Sequence, residues 1–225
     1  MATITKYHKN GSIVFSVSAA SIFTGPMEYI GGGMFIIVNN GTGIELYRHT
    51  GKIFAFVKRI SASGLPGILR FVGVTYDRKN FMFSVLIASI PTHQWRFHIR
   101  DINNKLKLSV NFGANQFFTD CTYDKKYVYF IKATGLIFSV VKYHLKFDSR
   151  KTMAQVSSFN LANNTTKGIT FERKSRGKYI WTVDTSPAVR QYLISGSTGT
   201  EVNSFSCVAN AAGITNDGKY IYVNS

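Results

Sequence analysis

The feature that most constrains this chain is an internal repeat, which recurs every 45 to 48 residues along its 225 residues. The last copy reads Gly213-Ile-Thr-Asn-Asp-Gly-Lys-Tyr-Ile-Tyr-Val223, two strand-like runs around a polar turn. Related segments begin at Gly73, Cys121 and Gly168, and a degraded copy begins at Met27. Because each copy is strand-like and no copy has a helical period, the repeat predicts an all-β chain.

One position of the first strand aligns the copies. It is occupied by Glu28, Thr75, Thr122, Thr170 and Thr215. Each unit then continues with two further alternating runs separated by a turn, as in 43–49 and 52–57. Four short strands joined by polar turns predict an antiparallel sheet. The 18 Phe, 12 Tyr and 19 Gly suit such strands and turns.

The chain begins and ends in the middle of a unit. The last copy has only two strands, while residues 5–17 align with the later strands of the first copy at 45–57. The two ends should therefore share one sheet and close a ring. We expect a single all-β domain over 1–225, a five-bladed β-propeller with four antiparallel strands per blade. The closing blade combines 1–18 with 212–225, and the other blades span 26–60, 71–112, 118–160 and 166–208.

The segment 213–225, continued by the amino-terminal strands, resembles the blade motif of YVTN-type and NHL-like propeller proteins. The resemblance extends over the whole chain at low identity. It implies the fold but no activity, because such blades host many functions. Tachylectin-like lectins also have five blades, but none of their sugar-binding motifs is present in this sequence.

The net charge is +16, with 27 Lys and Arg against 11 Asp and Glu. An excess of this size is tolerated when it is spread out or neutralised by a polyanion. The blade assignment places more than half of the basic residues on the face made by the turns after the first and third strands, and leaves the other face nearly neutral. Charged residues that merely solvate tight hairpins are the alternative explanation. The candidate residues for binding an anionic polymer, nucleic acid or acidic glycan, are Arg78, Lys79, Lys125, Lys126, Arg150, Lys151, Arg173, Lys174, Arg176, Lys178 and Lys219.

At the centre of the ring we expect the aligned positions Glu28, Thr75, Thr122, Thr170 and Thr215 to line a channel. Glu28 and Asp120 could meet across it as the paired carboxylates of a glycoside hydrolase. No third acid supports that pair, so hydrolysis is a remote alternative. The threonines suit strands and can hydrogen-bond within a narrow channel.

Other chemistry is not indicated by the sequence. The five histidines are spread over four units, and Cys121 and Cys207 lack a CxxC partner, so we expect no metal and no cofactor. On the neutral face, the connections 18–26 and 60–71 are candidates for a small-ligand or protein site at the channel mouth, or are simply longer loops.

These observations favour a non-catalytic interaction or structural scaffold with one basic face, for instance a virion- or particle-associated protein. Its partner would be another protein or an anionic polymer. Binding of an anionic polymer and lectin-like ligand binding are the alternatives. The amino terminus carries no apolar run, and no apolar stretch reaches the roughly 20 residues of a membrane helix. We therefore expect a cytoplasmic or particle-associated protein.

Overall fold

The computed structural model describes residues 2–19, 25–39, 43–51, 53–60, 68–77, 80–88, 93–101, 103, 105–113, 116–146, 152–163, 165–172 and 178–225. Within these ranges the regular structure consists of antiparallel strands. The strands are β1 (Ala2–His8), β2 (Ile13–Ala19), β3 (Met27–Gly31), β4 (Met34–Asn39), β5 (Gly43–His49), β6 (Phe54–Ile60), β7 (Ile68–Tyr76), β8 (Asn80–Ala88), β9 (His93–Asp101), β10 (Leu106–Gly113), β11 (Phe117–Tyr123), β12 (Tyr127–Thr134), β13 (Ile137–Lys146), β14 (Thr152–Asn160), β15 (Thr166–Phe171), β16 (Tyr179–Asp184), β17 (Ala188–Ser195), β18 (Thr198–Ser206), β19 (Gly213–Asn216) and β20 (Tyr220–Asn224).

In the described part of the chain these strands form five four-stranded sheets. Sheet 1 is β3–β6, sheet 2 is β7–β10, sheet 3 is β11–β14 and sheet 4 is β15–β18. The closing sheet has the order β19-β20-β1-β2, so both ends of the chain share it, as the repeat predicted. In its register Ile4 lies opposite Asn224 and His8 opposite Tyr220. Thr3 and Ser225 exchange two backbone hydrogen bonds of 3.0 Å.

The first strands of the sheets form the inside of a ring. β3 contacts β7, β7 contacts β11, β11 contacts β15, β15 contacts β19, and β19 contacts β3 again. Each sheet therefore runs outward from a common axis, with its first strand innermost. The prediction of an all-β, propeller-like arrangement of antiparallel sheets is confirmed.

The core lies between neighbouring sheets. Phe97 of sheet 2 packs against Phe130 of sheet 3 with ring centroids 5.1 Å apart. Ile4 of the closing sheet belongs to the same apolar cluster as Phe35 of sheet 1. Each buried side chain of this size stabilises the fold by about 1.5–3 kcal/mol. The outermost strands instead alternate between exposed and partly buried residues, as in Thr198–Ser206.

Glycines determine how closely the innermost strands approach. A Cβ on Gly73 would lie 2.9 Å from the Cα of Asp120, and one on Gly213 would lie 2.5 Å from the carbonyl oxygen of Gly25. A Cβ on Gly168 would lie 3.1 Å from the Cα of Gly213. Because such contacts leave no room for a side chain, packing at the axis requires glycine at these three positions.

The ring has two faces. The turn face carries the turns after the first and third strands of the sheets, including residues 9–12, 124–126, 196–197 and 217–219. The mouth face carries the turns between second and third strands and the connections between sheets, including residues 25–26, 135–136, 185–187 and 207–212. No helix in the described ranges is long and apolar enough to cross a membrane.

Candidate functional site at the ring axis

A cavity of about 840 Å³ opens at the ring axis on the mouth face. All five sheets, or the segments that lead into them, contribute to its wall. The described wall residues are Gly25, Pro26, Val38, Phe71, Val72, Trp95, Phe117, Phe118, Thr119, Ala133, Gly135, Lys167, Thr185, Asn210, Ala211 and Ala212. The cavity therefore depends on closure of the ring.

The wall is mainly aromatic and aliphatic. The Trp95 ring lies edge-on to Phe117 and to Phe118, each with centroids 6.0 Å apart. Lys167 is the one charged side chain among the described wall residues. An apolar concavity with a few polar groups is the usual form of a small-molecule site.

The floor of the cavity is the layer where the innermost strands converge. Val72 and Thr119 line the wall, and the next residues along their strands, Gly73 and Asp120, lie in this layer. Asp120 is 1% exposed, and the next ring of side chains, which includes Thr122, is equally buried. The cavity therefore ends at this layer.

Asp120 joins three innermost strands through one carboxylate. Its Oδ1 accepts the backbone N–H of Cys121 at 2.7 Å, and its Oδ2 accepts that of Ile169 at 2.9 Å. The backbone N–H of Val74 also donates to it. In the repeat, Asp120 stands where Gly73, Gly168 and Gly213 stand in three other copies. This side chain therefore links sheets 2, 3 and 4 at the axis.

The predicted carboxylate pair is buried below the cavity. Burial raises the pKa of Asp120 well above its ordinary value, the backbone N–H donors oppose this rise, and the Glu28 carboxylate adds to it. The Glu28 carboxylate thus affects the pKa of Asp120, but Glu28 is only 3% exposed. Neither carboxyl group is presented to the cavity, so the pair does not form an acid and base around a bound sugar.

The aligned threonines lie between strands and are also buried. The Thr122 Oγ1 accepts the backbone N–H of Phe171 at 3.0 Å, and the Thr215 Oγ1 accepts that of Tyr29 at 2.8 Å. The Asn216 side-chain amide donates to the Thr170 Oγ1 at 3.0 Å. Thr75 is likewise fully buried. Hydrogen bonds of the aligned threonines thus connect β11 to β15, β15 to β19 and β19 to β3.

The turn face has a different construction, because Asp124 and Asp217 each close their own turn. The Asp124 Oδ1 accepts the backbone N–H groups of Lys126 at 2.9 Å and Tyr127 at 2.7 Å, and its Oδ2 accepts the Tyr129 hydroxyl at 2.7 Å. Asp217 makes the equivalent three hydrogen bonds in the closing sheet. These carboxylates point into the turns and leave the neighbouring lysines at the surface.

Four of the predicted basic-face residues are described and exposed on the turn face: Lys125, Lys126, Lys178 and Lys219. Lys126 and Lys219 lie over the rings of Tyr127 and Tyr220, each 5.0 Å from the centroid. The remaining residues of the predicted set lie outside the described residues: Arg78, Lys79, Arg150, Lys151, Arg173, Lys174 and Arg176. An anionic polymer as partner stays a prediction.

Sequence reasoning pointed to the mouth of the ring but not to the residues that line it. It named the connections 18–26 and 60–71, of which 20–24 and 61–67 lie outside the described residues. It missed Trp95, Phe117 and Lys167. The available signal was large aromatic residues at the starts of strands on the nearly neutral face. In the described ranges no group of three or more His, Cys, Asp or Glu residues is placed to hold a metal ion.

No protein-family model and no curated protein sequence matches the chain. Solved structures do match it. A protein of Bacteroides fragilis, provisionally named a 6-phosphogluconolactonase, is 13% identical with a TM-score of 0.50, covering 99% of this chain and 74% of its own. A Bacteroides uniformis protein with the same provisional name is 10% identical with a TM-score of 0.53 and the same coverage. Glutaminyl cyclase of Myxococcus xanthus is 10% identical with a TM-score of 0.50, covering 70% of this chain and 61% of its own.

These likenesses concern the propeller-like fold alone, since the identities are so low. They also correct the expectation of a non-catalytic interaction or structural scaffold. Structures with this fold carry enzyme names. The lack of a familiar catalytic motif in the sequence was therefore no ground for excluding catalysis, because one fold hosts many sites.

Proposed function

We propose that this chain is a five-bladed propeller, of the YVTN or NHL-like type in its repeat, whose central cavity binds a small organic molecule. The observation that carries the proposal is the convergence of all five sheets on one aromatic-lined cavity. The five blades correspond to the five sheets, with the closing sheet drawn from both ends of the chain.

The size and shape of the cavity support a small ligand. Its volume of about 840 Å³ lies within the range of about 300–1,000 Å³ that is usual for ligand pockets. The layer that contains Gly73, Asp120, Gly168 and Gly213, which we call the glycine layer, closes the cavity from below, so a ligand enters and leaves by the mouth face. A bound molecule would be surrounded by blades on all sides, which removes most of its apolar surface from water.

Trp95 provides a direct test, because it lies on the cavity wall while the chain's other tryptophan, Trp181, is fully buried in sheet 4. A Trp181→Phe chain reports on the cavity through Trp95 alone. We expect a ligand from a panel of metabolite-sized compounds to change this fluorescence saturably. Calorimetry on the wild-type chain measures the same affinity without any substitution.

Blocking the cavity provides the control. Ala212 lies on the wall, so Ala212→Phe should abolish binding, whereas Ala154→Phe on the exposed outer strand of sheet 3 should leave it unchanged. Equal binding by both variants, or no binding by the wild-type chain across the panel, would contradict the proposal.

A second candidate function is hydrolysis of a small lactone in the same cavity. It is favoured by the provisional name of the two Bacteroides proteins. The test is turnover of 6-phosphogluconolactone, which should occur in the wild-type chain, disappear in Ala212→Phe and persist in Ala154→Phe. Hydrolysis no faster than without the protein would reject this candidate while leaving the binding proposal in place.

A further inference from the structure

We propose that the ligand of the central cavity is an organic anion with an apolar body, its charge held by Lys167 and its apolar part by the rim of sheet 3. This inference rests on the proposed binding function and identifies the class of ligand. It is carried by two features of the mouth face that the fold itself does not explain.

The first feature is an isolated positive charge. Lys167 is exposed near the start of β15 and lies on the cavity wall, and the other described wall residues are uncharged. Among the described ion pairs of the chain, none involves Lys167. Because an ammonium group beside an apolar wall is less screened than one in open water, it attracts an anionic group strongly at this point.

The second feature is a patch of exposed apolar side chains beside the cavity, which we call the sheet 3 rim. Its members are Phe117, 56% exposed, Leu136, 82% exposed, and Ile137, 56% exposed. Phe117 lies opposite Ala133, close to the turn that joins β12 to β13, and Leu136 and Ile137 lie in and directly after that turn, so the three residues share the mouth-face end of sheet 3. A grouped apolar patch of this kind is typical of an interaction site.

The two features are adjacent and continuous with the cavity. Phe117 belongs both to the rim and to the cavity wall, where it contacts Trp95. Lys167 lies in β15, the innermost strand of sheet 4, which contacts β11 of sheet 3. A molecule with its anionic group at Lys167 can therefore lay its apolar body against Trp95, Phe117 and the rim. The chemistry fits a carboxylate or a phosphate monoester.

A matched series of eight-carbon ligands tests the inference. Octanoate and octyl phosphate share their apolar body with neutral octanol and cationic octyltrimethylammonium. We expect both anions, or one of them, to bind more tightly than the other two, and the tighter anion identifies the head group. Calorimetry on the wild-type chain measures these affinities.

Two substitutions locate the contacts. Lys167→Gln should weaken anion binding by roughly tenfold, as expected for one charge-assisted contact, and leave octanol unchanged. Lys178→Gln, which removes an exposed lysine on the turn face, should change neither. Leu136→Ser should weaken octanoate while leaving the shorter butanoate unaffected.

The outcomes separate this inference from the function on which it rests. Equal affinity for octanol and the two anions would overturn the anionic class of ligand and leave the cavity as a binding site. Binding of none of the four compounds, together with failure of the wider panel, would overturn both. A wild-type dimer that Leu136→Ser dissociates would assign the rim to a second copy of the chain instead.

Discussion

The turn face and the mouth face of the ring are built over different distances along the chain. On the turn face, Asp124 finds all its hydrogen-bond partners within five residues of itself. On the mouth face, the wall of one cavity combines Pro26, Phe71, Phe117, Lys167 and Ala212, which belong to five different repeats. The turns are local units, whereas the cavity exists only when the ring is closed.

The comparison distinguishes two kinds of surface residue. The hairpins explain the positions of the charged residues in the turns, whereas neither the hairpins nor the core explain the residues exposed at the mouth face. Asp124 and Asp217 of the turn face stabilise their own hairpins, and the lysines beside them remain exposed in those hairpins. The mouth face instead has an apolar cavity, one unpaired lysine on the described wall and the sheet 3 rim, none of which the turns or the core require. Function is therefore better sought at the mouth.

The largest expected effect comes from opening the ring. Removing residues 1–19 takes β1 and β2 from the closing sheet and exposes the edge of β20, so we expect loss of the cooperative fold and aggregation. Size-exclusion chromatography and thermal unfolding measure this. A circular permutant that joins Ser225 to Ala2 and opens the turn at Gly196 keeps all four strands and should stay folded. A truncated chain with unchanged melting would contradict the closed ring.

A smaller but still large effect is expected where the innermost strands meet. Gly213→Ala would place a Cβ 2.5 Å from a backbone oxygen, so we expect a loss of about 3 kcal/mol or more in the free energy of unfolding. Gly196→Ala is the matched control on the turn face. Its φ of +61° is strained for alanine, but it has no neighbour within 4 Å, so it should cost only about 1 kcal/mol. If urea denaturation showed a larger loss of stability for Gly196→Ala than for Gly213→Ala, the close packing of the innermost strands at the glycine layer would be contradicted.

Asp120 below the cavity floor should give a pH dependence. The pKa of Asp120 is raised in the folded chain, so the folded chain holds the proton more tightly than the unfolded chain does. Ionisation of Asp120 therefore lowers the free energy of unfolding as the pH rises above the ordinary pKa of an aspartate in the unfolded chain. Between pH 4 and pH 7, the wild-type chain should therefore lose stability relative to Asp120→Asn. Unfolding curves at several pH values measure the difference. A relative gain for the wild-type chain over this range would show that the N–H donors outweigh burial.

The smallest effect is expected within a single turn. Asp217→Ala removes three local hydrogen bonds and should cost about 1–2 kcal/mol of stability, with ligand binding at the cavity unchanged. Lys219→Ala in the same turn should change stability by no more than about 0.5 kcal/mol, since its side chain is exposed. Urea denaturation and calorimetry check both. If Asp217→Ala weakened ligand binding, the two faces would not be independent.

The parts of the structure that the sequence could predict are the local ones. The alternating runs and polar turns report on single strands and hairpins, and the match of residues 5–17 to 45–57 predicted that the two ends share a sheet. The alignment of Thr75 with Thr122, Thr170 and Thr215 found the buried ring of the axis, although not its role in connecting neighbouring strands.

The repeat accounts for only part of the cavity wall. Gly25, Val72, Thr119, Lys167 and Ala212 each stand three residues before the aligned position, whereas Trp95 lies in a different strand of its unit. Trp95 lies near the start of β9, the third strand of sheet 2. Phe117 is the first residue of β11 and Lys167 the second residue of β15, which are the first strands of sheets 3 and 4. The alignment therefore placed Lys167 in a ring around the axis, but it did not report that Trp95 and Phe117 meet beside that ring to line an open cavity. Asp120 is a readable departure from the repeat, since it stands where three other copies have glycine, and it lies in the layer that forms the floor of the cavity.

A crystal structure of the chain grown with octyl phosphate shows directly whether the central cavity binds an organic anion. We expect electron density for the ligand inside the cavity, with its phosphate at the Lys167 ammonium and its alkyl chain against Trp95 and Phe117. Density confined to the lysines of the turn face, with the cavity occupied only by water at saturating ligand, would contradict this expectation.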